Sequence, residues 1–188
     1  MLNEAHSLQG YEQMVSNAAK DLSDPLAEIV LDARSHGRYE PGCVTSVRTR
    51  PDLVCRYTGA DPEPRRGLPS GHMPHSFSLP FNVFLRSNLS QHSGATFTTF
   101  LLPKELRRKL EDAVGTENAR LILEGQRLVT TTCGSGMTAG VLWLGLKLIN
   151  ETMPLALYDE VGPRNDLDHS LILACSLGWV MLHVHRVR

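Results

Sequence analysis

The sequence predicts an α/β domain with a mainly parallel central sheet flanked by helices. Short runs of apolar and β-branched residues at Ile29–Leu31, Leu128–Thr132 and Leu155–Tyr158 have the length and residue types of buried strands. They alternate with segments of helical spacing, as expected where crossover helices join parallel strands. A length of 188 residues suits one domain, or one domain with extra segments, and can bury a core without disulfide staples.

The elements follow in chain order. Tyr11–Lys20 is polar with Met14, Val15 and Ala18 at helical spacing, which predicts a short amphipathic helix. Ile29-Val30-Leu31 is a strand that ends in Asp32-Ala33-Arg34-Ser35. Gly37–Ser70, rich in Pro, Gly and Arg, reads as a long loop. Phe77–Phe81 is a short extended segment. Pro103–Ala113 is a helix, with proline near its start, Leu106 and Leu110 on one face and Gly115 as its stop. Leu128–Thr132 is a strand, Met137–Ile149 a helix and Leu155–Tyr158 another strand.

Composition narrows the function classes. The formal net charge is −1, so no general nucleic-acid footprint is expected. The four cysteines, Cys43, Cys55, Cys133 and Cys175, have no metal-ligand spacing, and neither a metal nor another cofactor is expected. A reducing context, cytoplasmic or mitochondrial, fits them better than a disulfide framework. The start of the chain lacks the features of a secretory signal or a transit peptide. The apolar run from Leu171 to Val184 is too short and interrupted for a transmembrane helix, so no membrane association is expected.

The chemistry concentrates in Thr131–Gly140, TTCGSGMTAG. Sites in open parallel sheets lie beyond the C-terminal ends of the strands, where Cys133 is placed. A Gly-Ser-Gly turn can aim several backbone N–H groups at one point, and the following helix adds its positive end. Such a cradle stabilises a thiolate, an oxyanion or a persulfide and favours a nucleophilic cysteine. The competing reading is a buried, inert cysteine. A phosphatase loop would place arginine six positions after its cysteine to grip phosphate. Ala139 stands there, and no Arg or Lys lies between Cys133 and Leu146, which disfavours phosphoester chemistry. Arg34, Arg38, Arg65 and Arg66 follow the strand ending at Asp32 and are candidates to hold a substrate carboxylate.

DARSHGRY (Asp32–Tyr39), GADPEPRRGLPSGHMPHSFSLPF (Gly59–Phe81) and TTCGSGMTAG together resemble the C-terminal, catalytic rhodanese domain of the 3-mercaptopyruvate and thiosulfate sulfurtransferases. The resemblance runs from about Tyr11 to Glu160 and implies a rhodanese-like three-layer domain. It implies sulfur transfer in which Cys133 takes sulfane sulfur as a persulfide from 3-mercaptopyruvate or thiosulfate. A thiol acceptor such as thioredoxin, a small thiol or cyanide then receives it. By motif position, Arg38 and Arg65 correspond to the arginines that bind the substrate carboxylate. Ser135 corresponds to the loop serine that assists proton transfer, and Gly134, Gly136, Met137 and Thr138 to the backbone cradle. His72, in Ser70-Gly71-His72, follows the pattern and is read as structural. The neutral loop is of the mercaptopyruvate type.

The sequence departs from the family in three places. The family carries two rhodanese domains and the match here is to the second, so a catalytically impaired binding or regulatory module is the alternative reading. The motif is interrupted at 40–57, where Arg38-Tyr39 recurs as Arg56-Tyr57. Removing one copy with the intervening stretch restores SHGRYTGADPEPRRG, which motivates the hypothesis of a retained in-frame intron. Comparing genomic DNA with mature transcript tests it, and a dominant message still encoding Val44–Val54 would overturn it. Finally, 161–188 has no family match. The expected organisation is one domain over 1–160, interrupted at 40–57, with a non-family tail at 161–188 whose apolar Leu171–Leu182 is an aggregation liability.

Overall fold

The computed structural model describes residues 8–34, 72–134 and 136–158. The elements are α1 (Tyr11–Ala18), β1 (Ile29–Asp32), β2 (Phe77–Ser78), a 3-10 turn (Phe81–Phe84), β3 (Leu85–Leu89) and β4 (Thr96–Phe100). They continue with α2 (Pro103–Val114), α3 (Thr116–Leu123), β5 (Val129–Thr132), α4 (Met137–Ile149) and β6 (Leu155–Tyr158).

The central sheet has the order β2-β1-β5-β6, and every pairing in it is parallel. β1 and β5 are buried at all four positions, as strands covered on both faces must be. Side chains alternate across the sheet. Ile29, Leu31, Val129 and Leu155 belong to the main core with Leu106 and Leu110 of α2 and Leu142, Leu146 and Ile149 of α4. Val30 and Tyr158 face the other way and meet Met14 of α1. The result is the expected three-layer α/β arrangement.

Local sequence explains the ends of the elements. Proline at the first position of α2 costs no hydrogen bond, and the Glu105 carboxylate accepts the Leu102 N–H at 3.1 Å. Gly115, at φ 81°, ends α2 and directly precedes α3, so one glycine separates two helices. Pro80 stops β2 short, because it has no N–H for the ladder. The extended segment read as Phe77–Phe81 is therefore a two-residue strand followed by a 3-10 turn. Beyond it, β3 and β4 form a separate antiparallel hairpin. The sequence reading assigned neither this hairpin nor α3.

The predicted loop at 37–70, the interruption at 40–57 and the tail at 161–188 lie outside the described residues.

Candidate active site

The strand order identifies the site before any side chain is considered. From β1 the chain moves outward to β2, then returns to β5 on the other side of β1 and continues outward to β6. Connections therefore diverge between β1 and β5. That divergence opens a crevice at the C-terminal ends of the two strands, where ligands of open α/β sheets bind. Asp32 pairs with Thr132 in register, and the Ala33 N–H donates to the Thr132 carbonyl at 2.8 Å. Cys133 is the next residue.

Cys133 is a half-buried thiol packed against the edge of the main core. Gly134 is half-buried behind it, and Gly136 caps α4 with φ 72°, a conformation that residues with a Cβ rarely adopt. Met137, the first helical residue, is 79% exposed, and Thr138 is half-buried. The Gly140 N–H opens the helical ladder by donating to the Gly136 carbonyl at 3.0 Å. The N–H groups before it have no intrahelical acceptor, as at the start of any helix. They follow Cys133 by a few residues and carry the positive end of α4. Ala139 is fully buried, so a small side chain packed inward occupies the position where a phosphatase loop has arginine.

The exit of β1 is tied down by a buried carboxylate. Asp32 Oδ1 accepts the Arg34 backbone N–H at 2.9 Å and Arg34 Nε at 3.0 Å. Oδ2 accepts Nε at 2.9 Å and the terminal guanidinium nitrogen. The Asp32 side chain is 4% exposed and that of Arg34 16%. The Asp32 and Ala33 carbonyls accept the Leu79 and Phe81 N–H groups at 3.0 and 3.2 Å. These bonds set the direction in which the chain leaves the sheet. Arg34, one of the arginines expected near a substrate carboxylate, has its Nε and one terminal nitrogen engaged by Asp32. Sequence reasoning missed Asp32 as that partner. The signal was an acid ending an apolar strand two residues before an arginine.

The structure thus brings Cys133, Gly134, Gly136, Met137 and Thr138 to the end of β5, beside the end of β1. Ser135, Arg38, Arg65 and Arg66 lie outside the described residues. His72 is half-buried at the approach to β2. Among the described residues no three His, Cys, Asp or Glu side chains are grouped to hold a metal ion. No helix among them is long and apolar enough to cross a membrane.

No family model matches the chain. Individual relatives do. It is 35% identical over 104 residues to thiosulfate/3-mercaptopyruvate sulfurtransferase 2 of Arabidopsis thaliana, covering 55% of this chain and 25% of the relative. It is 32% identical over 116 residues to 3-mercaptopyruvate sulfurtransferase of Rattus norvegicus, covering 62% and 27%. With the mitochondrial thiosulfate/3-mercaptopyruvate sulfurtransferase 1 of A. thaliana it shares 31% identity over 104 residues, covering 55% and 23%. These matches span about a quarter of each relative's length. The crystal structure of the Tum1 protein from Saccharomyces cerevisiae matches in fold, with a TM-score of 0.51 and 24% identity, over 81% of this chain and 41% of that one. Over a little more than half of its length the chain is similar in sequence to 3-mercaptopyruvate and thiosulfate sulfurtransferases, and its described residues share the α/β fold of Tum1.

Proposed function

We propose that the chain transfers sulfane sulfur through a persulfide on Cys133. The observation that carries this reading is the half-buried thiol at the crevice between β1 and β5, immediately before the glycine start of α4. In the first step the Cys133 thiolate attacks the sulfur of 3-mercaptopyruvate. The carbon–sulfur bond breaks, and its electron pair passes to the enolate of pyruvate, which takes up a proton and leaves as pyruvate. In the second step an acceptor thiolate, from a small thiol or thioredoxin, attacks the outer sulfur of the persulfide. The acceptor leaves as a persulfide and the Cys133 thiolate is restored. Cyanide in place of the thiol gives thiocyanate, and thiosulfate is the alternative donor, leaving as sulfite.

Arg38 and Arg65 serve as the carboxylate clamp in this reading, and Ser135 assists the proton transfer. Gly134, Gly136, Met137 and Thr138 supply backbone donors to the charged sulfur. The compartment is mitochondrial or cytoplasmic, a reading supported by the mitochondrial label of one relative.

The alternative reading is a rhodanese-domain binding or regulatory module with impaired catalysis. One experiment separates the two. The purified chain is incubated with 3-mercaptopyruvate, and pyruvate release and intact mass are followed. Catalysis predicts pyruvate release and a gain of one sulfur atom on Cys133, both lost in Cys133→Ser. Folded protein that gains no sulfur and releases no pyruvate overturns the catalytic reading in favour of the module.

A further inference from the structure

The helix that follows the cysteine loop is apolar on two sides, and the described residues cover only one of them. Ala139, Leu142, Leu146 and Ile149 of α4 are buried in the domain. On the opposite side, Met137, Val141, Leu144 and Leu148 recur at spacings of four, three and four and form one stripe. Met137 is 79% exposed, Leu144 46% and Leu148 47%, and Val141 is half-buried. Lys147 is the only charged residue of the helix, and it is turned away from the stripe. Its Nζ donates to the Glu151 and Met153 carbonyls at 2.7 and 3.0 Å and lies 5.5 Å from the centre of the Trp143 ring. The stripe is therefore uncharged along about 20 Å of helix, and a soluble domain rarely leaves such a surface bare.

We infer that the segment Leu171–Leu182 of the same chain covers this stripe. Its sequence, LILACSLGWVML, contains no charged residue. The chain leaves the described domain after Tyr158, at the C-terminal end of β6. α4 begins at that same edge of the sheet and packs on β5 and β6. Between Tyr158 and Leu171 stand residues 159–170, DEVGPRNDLDHS, a polar connection whose extended reach is about 40 Å. That is twice the length of the stripe, so the whole of it lies within range. Two uncharged apolar surfaces on one chain, joined by a short polar connection, bury each other at a high effective concentration. An external partner would have to compete with that. The inference does not depend on which reaction Cys133 performs.

The two tryptophans of the chain, Trp143 and Trp179, provide the test. In Trp143→Phe the only indole left is that of Trp179, inside the proposed covering segment. Its fluorescence is expected at shorter wavelength than that of a solvated indole, with weak quenching by acrylamide, at all protein concentrations. Adding Leu144→Asp and Leu148→Asp is expected to shift the emission to longer wavelength and increase quenching, with unchanged far-ultraviolet circular dichroism. If the double Asp chain loses that dichroism, Leu144→Ser alone gives the same readout at a position already half-exposed. Three results would each overturn the inference: a solvated indole in Trp143→Phe, a buried indole indifferent to the α4 substitutions, or a blue shift that disappears on dilution. The last would assign the stripe to a second copy.

Discussion

Replacing Gly145 by alanine is a sharp test of how α4 is seated. A Cβ at this position would overlap Phe84 Cδ2, stand 2.9 Å from Phe84 Cε2 and lie 3.3 Å from Phe100 Cε1. Phe84 is fully buried in the main core, so its ring has no open space to move into. Alanine gains about 1 kcal/mol of helix propensity over glycine. Overpacking a core costs about 1–3 kcal/mol, and an overlap this close belongs at or above the upper end of that range. The net expectation is a loss of about 2 kcal/mol, which lowers the melting temperature of a chain this size by about 4–8 °C. Gly140, in the same helix, is the internal control. A Cβ there meets only Leu157 Cδ1, at 4.0 Å, so Gly140→Ala is expected to raise stability by about 0.5–1 kcal/mol. Thermal unfolding followed by circular dichroism reads both variants. An unchanged or higher melting temperature for Gly145→Ala would refute the packing of α4 on Phe84. A loss at Gly140 equal to that at Gly145 would show that glycine serves backbone conformation in this helix rather than close approach.

Two further predictions concern charge. Asp32→Asn keeps the shape of the side chain but removes the charge facing a mostly buried Arg34, and it is expected to cost about 1–3 kcal/mol in chemical denaturation; a denaturation midpoint equal to the parent's would show that the pair does not hold the exit of β1. Glu105 is held below its ordinary value of 4.5 by the Leu102 N–H, with Arg86 adding to the effect. A depressed carboxyl contributes stability that is present above the ordinary value and is lost as the pH falls through the lowered one. Glu105→Gln is therefore expected to lose less melting temperature than the parent between neutral pH and the acid side of that range. Parallel pH profiles for the two proteins would contradict this account.

The strands β1, β5 and β6 and the helix α4 were legible in the sequence because their signals are local. Each strand is a short run that must be buried, and α4 is bounded by Gly136 at one end and polar Asn150 at the other. The cysteine loop was legible for the same reason, since Cys133, two glycines and the absence of cations all fall within a few residues. The hairpin was not legible. Thr96–Phe100 is exposed at four of its five positions, so burial leaves no alternating pattern there to read. α3 was hidden by Gly115, whose stop signal for α2 masked a helix beginning at the next residue.

By itself, the sequence determined the strands β1, β5 and β6 and the helices α1, α2 and α4, and that a thiol would follow a strand and precede a glycine-initiated helix. These are consequences of nearest-neighbour chemistry. Strand order was decided only in the tertiary structure. Parallel neighbours are chosen by packing between elements far apart in the chain, and local sequence does not encode that choice. Order put β5 beside β1 and so set Cys133 at the crevice where the connections diverge. The Asp32–Arg34 pair is local in sequence, two residues apart, but its burial is the work of the fold: β1 lies inside the sheet, so the Asp32 carboxylate is nearly closed off from water with the Arg34 guanidinium beside it.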